Sequence, residues 1–113
     1  MADKDPRLYL IHMRESCEKI LEYTSPLGTG WCRSSMARDA VIRNLEVIGE
    51  AATRFDADFR AAHSNIPWRN IIGTRNILIH AYDRVVPDVL VSIVERDIPA
   101  LLKAVLELLE AQA

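Results

Sequence analysis

With 113 residues, the chain is long enough for one domain with a single hydrophobic core and too short for two, so we expect one domain over residues 1–113. Hydrophobic residues make up 50% of the sequence, with only four glycines and five prolines, which excludes a disordered chain and a loop-rich disulfide scaffold. The formal net charge of -2 argues weakly against a nucleic-acid partner, because neutralisation of phosphates is the main sequence-independent source of affinity.

Two amphipathic helices are predicted in the first part of the chain. Asp5 and Pro6 favour a helix start, since aspartate caps free amides and proline suits the first helical position. This helix should end near Tyr23, where the stretch SPLGTG predicts a short loop, and Ser34 or Ser35 then caps a second helix. The buried stripes, with steps of three and four, are Leu10, Met13, Cys17 and Ile20 in the first helix and Val41, Leu45, Ile48, Ala52 and Phe55 in the second.

Three charged residues of the second helix lie off its apolar stripe. Arg43, Glu46 and Glu50 follow one another at spacings of three and four, so they can pair on a neighbouring face. A solvated, ion-paired surface is the more common interpretation, and a functional face is the alternative.

The middle of the chain predicts a short element followed by a third long helix. Residues 56–65 indicate a turn or a single helical stretch, and Pro67 can open a helix that covers residues 68–79. Gly73 lies inside this helix, where glycine costs about 1 kcal/mol relative to alanine. We therefore expect another backbone to approach closely at Gly73.

The C-terminal part predicts a last helix and completes the fold class. Pro87 marks the boundary before it, and Pro99 should kink or restart it. No segment alternates with a period of two, so no strand is predicted. Four main helices with short links predict an all-α protein, an up-down bundle.

Cysteine usage, the N-terminal residues and the lack of a long apolar stretch predict a cytoplasmic protein. Cys17 and Cys32 suggest neither a disulfide framework nor a zinc site. Charges throughout the first twenty residues exclude a secretion signal, and no apolar stretch reaches the ~20 residues of a spanning helix, which excludes membrane insertion.

One segment concentrates the groups that carry chemistry. From residue 60 to residue 84 there are four arginines against one acid, although the whole chain is acidic. The motif RNILIHAYDRV within it places a guanidinium, a carboxamide, an imidazole, a phenol, a carboxylate and a second guanidinium close together. These groups belong to Arg75, Asn76, His80, Tyr82, Asp83 and Arg84.

Arginine and histidine together suit cleavage of an RNA phosphodiester. A guanidinium binds phosphate oxygens, and an imidazole can take a proton from the ribose 2′-hydroxyl or give one to the leaving oxygen, with no metal. At about 100° per residue, Arg75 and His80 lie roughly 140° apart on an unbroken helix. Either the helix loosens before His80 or the cleft is composite, and we favour a two-fold dimer that joins two copies of the segment.

At this motif the chain resembles the minimal HEPN-domain proteins, and specifically the HepT-like ribonuclease toxins. The family signature is arginine, a short spacer, histidine, one residue and tyrosine, which Arg75, His80 and Tyr82 fill with a four-residue spacer. The stretch VIRNLEVIGEAA, which contains Gly49 and Glu50, also resembles the family, as do IPW before the motif and the late DIPALL. The resemblance covers nearly the whole chain.

The resemblance implies a HEPN bundle of four to five helices that forms a homodimer, with RNA as substrate and no cofactor. Arg75 and His80 would be the catalytic residues of a metal-independent endoribonuclease in a type VII-like toxin-antitoxin pair. The implied partner is an MntA-like nucleotidyltransferase antitoxin that transfers AMP to Tyr82, which would put negative charge and bulk where RNA binds.

Each site residue also has a structural alternative, which for His80 is that of a packed or helix-capping histidine. Arg75 could pair with Glu46 or Glu50 inside the bundle, and Tyr82 could bury its ring. Asn76 either hydrogen-bonds His80 and sets its tautomer or caps a turn. Asp83 and Arg84 are expected at the rim. The alternative function is a non-catalytic HEPN module that binds RNA or a nucleotide, or serves as partner subunit of a nucleotidyltransferase.

Overall fold

The computed structural model describes residues 5–112, with the backbone alone at Tyr82. Residues 5–112 contain no strand, which confirms the all-α prediction. None of the helices in this range is long and apolar enough to cross a membrane. The α-helices are α1 (Pro6–Thr24), α2 (Ser35–Ala52), α3 (Ala57–Ala62), α4 (Trp68–His80), α5 (Pro87–Ser92) and α6 (Ile98–Ala111).

Side-chain caps set the starts of three helices. The Asp5 carboxylate accepts a hydrogen bond from the amide of Arg7 at 3.0 Å, and Pro6 follows as the first helical residue. Of the two candidate serines, Ser34 is the cap of α2, since its hydroxyl accepts from an amide of the first turn at 3.2 Å. Asp56 caps α3 in the same way. Residues 57–62 are thus a single helical stretch, one of the two alternatives predicted for this segment.

The connection between α1 and α2 is more regular than the predicted loop. Residues 25–33 form 3₁₀ turns on both sides of Gly28, whose φ of 65° and ψ of -158° interrupt them. Such a positive φ favours glycine because it has no Cβ. Trp31 from this connection is buried in the core, so the segment closes one end of the bundle.

The C-terminal helices α5 and α6 continue into each other through a π-helical turn at Ile93–Asp97. Pro99 lies in the first turn of α6, so the chain restarts its α-helix there, one of the two predicted outcomes. Proline has no N–H, and its ring meets the carbonyl four residues earlier in a regular α-helix. The wider π turn before Pro99 relieves that conflict without breaking the helix.

The long helices pack as an up-down bundle. α1 runs antiparallel to α6, since Arg7 near one end donates to the carbonyl of Leu109 near the other at 3.3 Å. α2 packs against both α1 and α4, and Gly49 of α2 lies against Arg75 of α4. An apolar groove separates α4 from α6, and its described lining includes none of Arg75, Asn76, His80, Asp83 and Arg84.

The predicted apolar stripes form the core. Every residue of both stripes is buried, including Phe55, which lies beyond the end of α2. Cys17 is wholly enclosed, and this burial, with a smaller effect from Glu18, raises the pKa of its thiol to about 12. Trp31 and Trp68 are buried too, so both indole rings belong to the core.

Candidate functional site

Helix α4 presents Arg75 to the inside of the bundle. Ile71, Arg75 and Leu78 are spaced by four and three residues, so they share one face, and Leu78 on that face is buried. The Arg75 side chain is 28% exposed and lies against α2. Arg75 therefore occupies a position on the inward face of α4 that an apolar residue would ordinarily fill.

The close approach that makes room for Arg75 occurs at Gly49. A Cβ placed on Gly49 would overlap Cβ and Cγ of Arg75, so α2 and α4 touch here only because residue 49 has no side chain. The prediction of a close approach at Gly73 is wrong, since a Cβ there would meet nothing within 4 Å. The residue that sequence reasoning missed is the glycine of the VIGEAA stretch, on the helix opposite the motif.

Hydrogen bonds on both terminal nitrogens fix the Arg75 guanidinium. Nη2 donates to Oε1 of Glu50 at 2.9 Å, and Nη1 donates to Oδ1 of Asn76 at 3.0 Å. Oε2 of the same Glu50 accepts from Arg54 at 3.0 Å. Of the two predicted structural partners of Arg75, Glu50 is thus the one that binds it, and one carboxylate lies between two guanidinium groups.

This arrangement leaves Arg75 able to bind an anion. A guanidinium carries five N–H groups, of which one donates to Glu50 and one to Asn76. The Nε–H is buried and has no acceptor among residues 5–112. One hydrogen on each terminal nitrogen stays available, and because two arginines share the single charge of Glu50, the cluster keeps a positive charge.

His80 is the last residue of α4, and its side chain is exposed. The helix is regular up to this point, and the amide of Ala81 still bonds the carbonyl of Ile77 at 2.7 Å. The alternative in which the helix loosens before His80 is therefore wrong. Within one chain, the imidazole lies roughly 140° around the helix from Arg75, so the two side chains face different directions.

Of the predicted supporting residues, Asn76 contacts Arg75, and Asp83 and Arg84 lie on the surface. The Asn76 carboxamide accepts a hydrogen bond from Arg75 and makes none to His80, so the alternative in which it sets the histidine tautomer is wrong. Asp83 and Arg84 are exposed, in a 3₁₀ turn that begins two residues after His80, and their place at the rim of a site stays a prediction. The phenol of Tyr82, the predicted AMPylation site, lies outside the described part of the chain.

A polar groove between α1, α2 and α4 brings Arg75 together with residues that the motif does not contain. Its lining includes Tyr9, His12, Arg43, Glu46 and Arg54. Arg43 pairs loosely with Glu46 at 3.7 Å, which is the pairing predicted from their spacing. His12 is exposed, and no motif of the sequence links it to residue 75. Across residues 5–112, no three side chains of histidine, cysteine, aspartate or glutamate converge in a way that could hold a metal ion.

The fold and the candidate site together define a class of protein. It is an all-α bundle in which one helix carries an arginine and a histidine, and the arginine lines a polar groove. The sequence profile of the family described as "Ribonuclease HepT-like" matches residues 13–108. The chain belongs to this family, and its helical bundle is the HEPN fold.

Curated relatives agree with this assignment. "Putative RNase MJ1380" of Methanocaldococcus jannaschii is 38% identical over 93% of this chain and 97% of its own length. "Putative RNase TTE0752" of Caldanaerobacter subterraneus subsp. tengcongensis is 34% identical over 96% of this chain and 98% of its own. "Probable ribonuclease HepT" of Thermococcus cleftensis is 41% identical over 82% of this chain and 86% of its own. No solved structure matches the chain.

Proposed function

We propose that this protein is a metal-independent endoribonuclease, the toxin of a type VII-like toxin-antitoxin pair in the cytoplasm. The observation that carries the proposal is the state of Arg75, a guanidinium fixed by Glu50 and Asn76 with a hydrogen free on each terminal nitrogen. Membership of a family described as ribonucleases supplies the substrate class. Arg75 binds and stabilises the phosphate, and His80 transfers protons.

The proposed step is an internal transesterification of RNA. An imidazole takes the proton of the 2′-hydroxyl, the 2′-oxygen forms a bond to phosphorus, and the bond from phosphorus to the 5′-oxygen breaks. The same imidazole, now protonated, gives its proton to the leaving oxygen. Arg75 stabilises the charge that builds on the phosphate oxygens without a change of its own protonation.

A homodimer supports this chemistry, because Arg75 and His80 of one chain face different directions. Ile77, one turn from His80, is 56% exposed, and Val86 and Val89 after the motif are also more than half exposed. Contact between two copies along this segment would cover these apolar side chains and set His80 of one protomer near Arg75 of the other.

Cleavage in the presence of a chelator tests the enzyme. Purified protein with EDTA should cut single-stranded RNA, and His80→Ala should abolish the cut without loss of helical circular dichroism, because His80 is exposed and outside the core. Lys103→Ala on α6 is the control and should cut RNA like the unchanged protein. Undiminished cleavage by His80→Ala would remove this residue from the mechanism. RNA that is bound and never cut would favour the non-catalytic HEPN module.

The regulatory part of the proposal concerns Tyr82 and an MntA-like nucleotidyltransferase antitoxin. Transfer of AMP to the phenol would add a negative charge and bulk beside the proposed cleft, which repels RNA. Mass spectrometry of the protein co-expressed with this partner should find the mass of one AMP on the peptide that contains Tyr82, and Tyr82→Phe should stay unmodified and toxic. Neutralisation of Tyr82→Phe by the same partner would show inhibition by binding alone.

A further inference from the structure

The polar groove that holds Arg75 continues along the surface between α1 and α2. A second depression, lined by Lys19, Tyr23 and Asn44, adjoins the first, and the two share His12 and Arg43 in their walls. We call the two together the α1–α2 groove. From Tyr9 at one end to Tyr23 at the other, it follows α1 for roughly 21 Å at the rise of an α-helix.

Basic side chains in this groove outnumber the charges that neutralise them. Lys19, Arg43, Arg54 and Arg75 line it, against the three carboxylates Glu15, Glu46 and Glu50. The groove is thus positive in a chain whose formal net charge is -2.

The cations at the far end of the groove are accessible. The Arg43 side chain is 74% exposed, with its partner Glu46 at 3.7 Å, and no ion pair joins exposed Lys19 to a carboxylate of residues 5–112. Exposed lysine and arginine side chains of this kind can bind the phosphates of a nucleic-acid strand that lies along the surface.

Aromatic rings lie at both ends of the same path. Tyr9 packs edge-on against His12, with the ring centroids 6.0 Å apart, and Tyr23 is 40% exposed. Grooves that bind single-stranded nucleic acid combine tracking cations with aromatic rings on which bases stack. A path of this length accommodates about six stacked nucleotides at ~3.4 Å each.

We infer that the α1–α2 groove is the path of the single-stranded RNA substrate, which runs from Arg75 past His12 and Arg43 to Lys19 and Tyr23. This inference rests on the proposed function for its substrate class. It adds binding residues on α1 and α2, outside the motif segment, to the site at Arg75. Lys19 and Arg43 contact phosphates, and Tyr23 stacks on a base.

The test compares variants that change net charge equally. Binding of a 2′-O-methylated single-stranded RNA of about twelve nucleotides, which has no 2′-hydroxyl to react, is measured by fluorescence polarisation at several salt concentrations. Lys19→Gln/Arg43→Gln should lower the slope of log affinity against log salt by about 1.4, since each lost phosphate contact removes ~0.7. Lys103→Gln/Arg96→Gln, on exposed side chains outside the groove, should leave the slope unchanged.

A second pair of variants tests the stacking contact. Tyr23→Ser should weaken binding about fivefold or more, and Tyr23→Phe, which keeps the ring, should retain the affinity. Equal behaviour of the groove and control double variants, or of Tyr23→Ser and Tyr23→Phe, would overturn the inference.

Cleavage of the unmodified RNA is measured with the same protein variants. This second measurement separates the two proposals. Groove-dependent binding by a protein that never cuts RNA would overturn the ribonuclease and retain the path. Cleavage that is indifferent to Lys19, Arg43 and Tyr23 would overturn the path and retain the ribonuclease.

Discussion

Arg75 is positioned by two neighbours that act in different ways. Gly49 allows the backbone of α2 to lie against the first carbons of the arginine, and Glu50 binds the guanidinium at 2.9 Å. Both partners are in α2, so the contact between α2 and α4 and the position of the cation depend on each other. A group held in this way has little freedom to lose when it binds phosphate.

Gly49→Ala should therefore destabilise the protein. The added methyl group overlaps Cβ and Cγ of Arg75, and since Cβ is fixed to the backbone, the two helices must separate. We expect a loss of about 1–3 kcal/mol, typical of overpacking, measured by urea unfolding at one protein concentration. Displacement of the guanidinium should also slow RNA cleavage.

The chain contains a matched control for this substitution. Gly73→Ala is also a glycine-to-alanine change within a helix, but its Cβ would meet nothing within 4 Å. It should stabilise the protein by about 0.5–1 kcal/mol, because alanine loses less backbone entropy than glycine on folding. Equal stability of the two variants would mean that the contact at Gly49 is not tight.

At the scale of whole elements, the periodicity of apolar residues predicted the helices closely. The caps Asp5 and Ser34, the buried stripes of α1 and α2, and the start of α4 after Pro67 all follow from local rules that need no knowledge of neighbours. The π turn before Pro99 could not be predicted in the same way, because the sequence left open whether Pro99 kinks the helix or restarts it.

The faces of α4 were harder to predict than its ends. Its apolar residues occur on several sides, with Leu78 buried and Ile77 and Ile79 exposed, so the stripe gives no clear direction. That Arg75 faces α2 is decided by Gly49 and Glu50, which lie 25 or more residues away in sequence. The same limit hid the α1–α2 groove, since His12 and Arg75 line one groove only when three helices pack.

At the scale of the whole molecule, the single chain does not bring the proposed catalytic pair together. Arg75 lies against α2, and His80 is exposed at the end of α4, about 7.5 Å further along the helix axis. A two-fold axis beside this segment would repeat both groups in each of two clefts. The composite cleft remains our proposal, and its basis is an α4 that stays regular to its last residue.

Mixed dimers test the composite cleft directly. Arg75→Ala and His80→Ala should each be inactive alone, yet a dimer of one with the other retains one cleft in which an intact Arg75 meets an intact His80 of the opposite protomer. After random exchange, half of the dimers are mixed and half of their clefts are complete, so RNA cleavage should recover to about a quarter of the unchanged protein's rate. Native mass spectrometry verifies the mixed species, and Arg75→Ala with itself is the control. Mixed dimers that form and never cut RNA would mean that each cleft draws both residues from one chain.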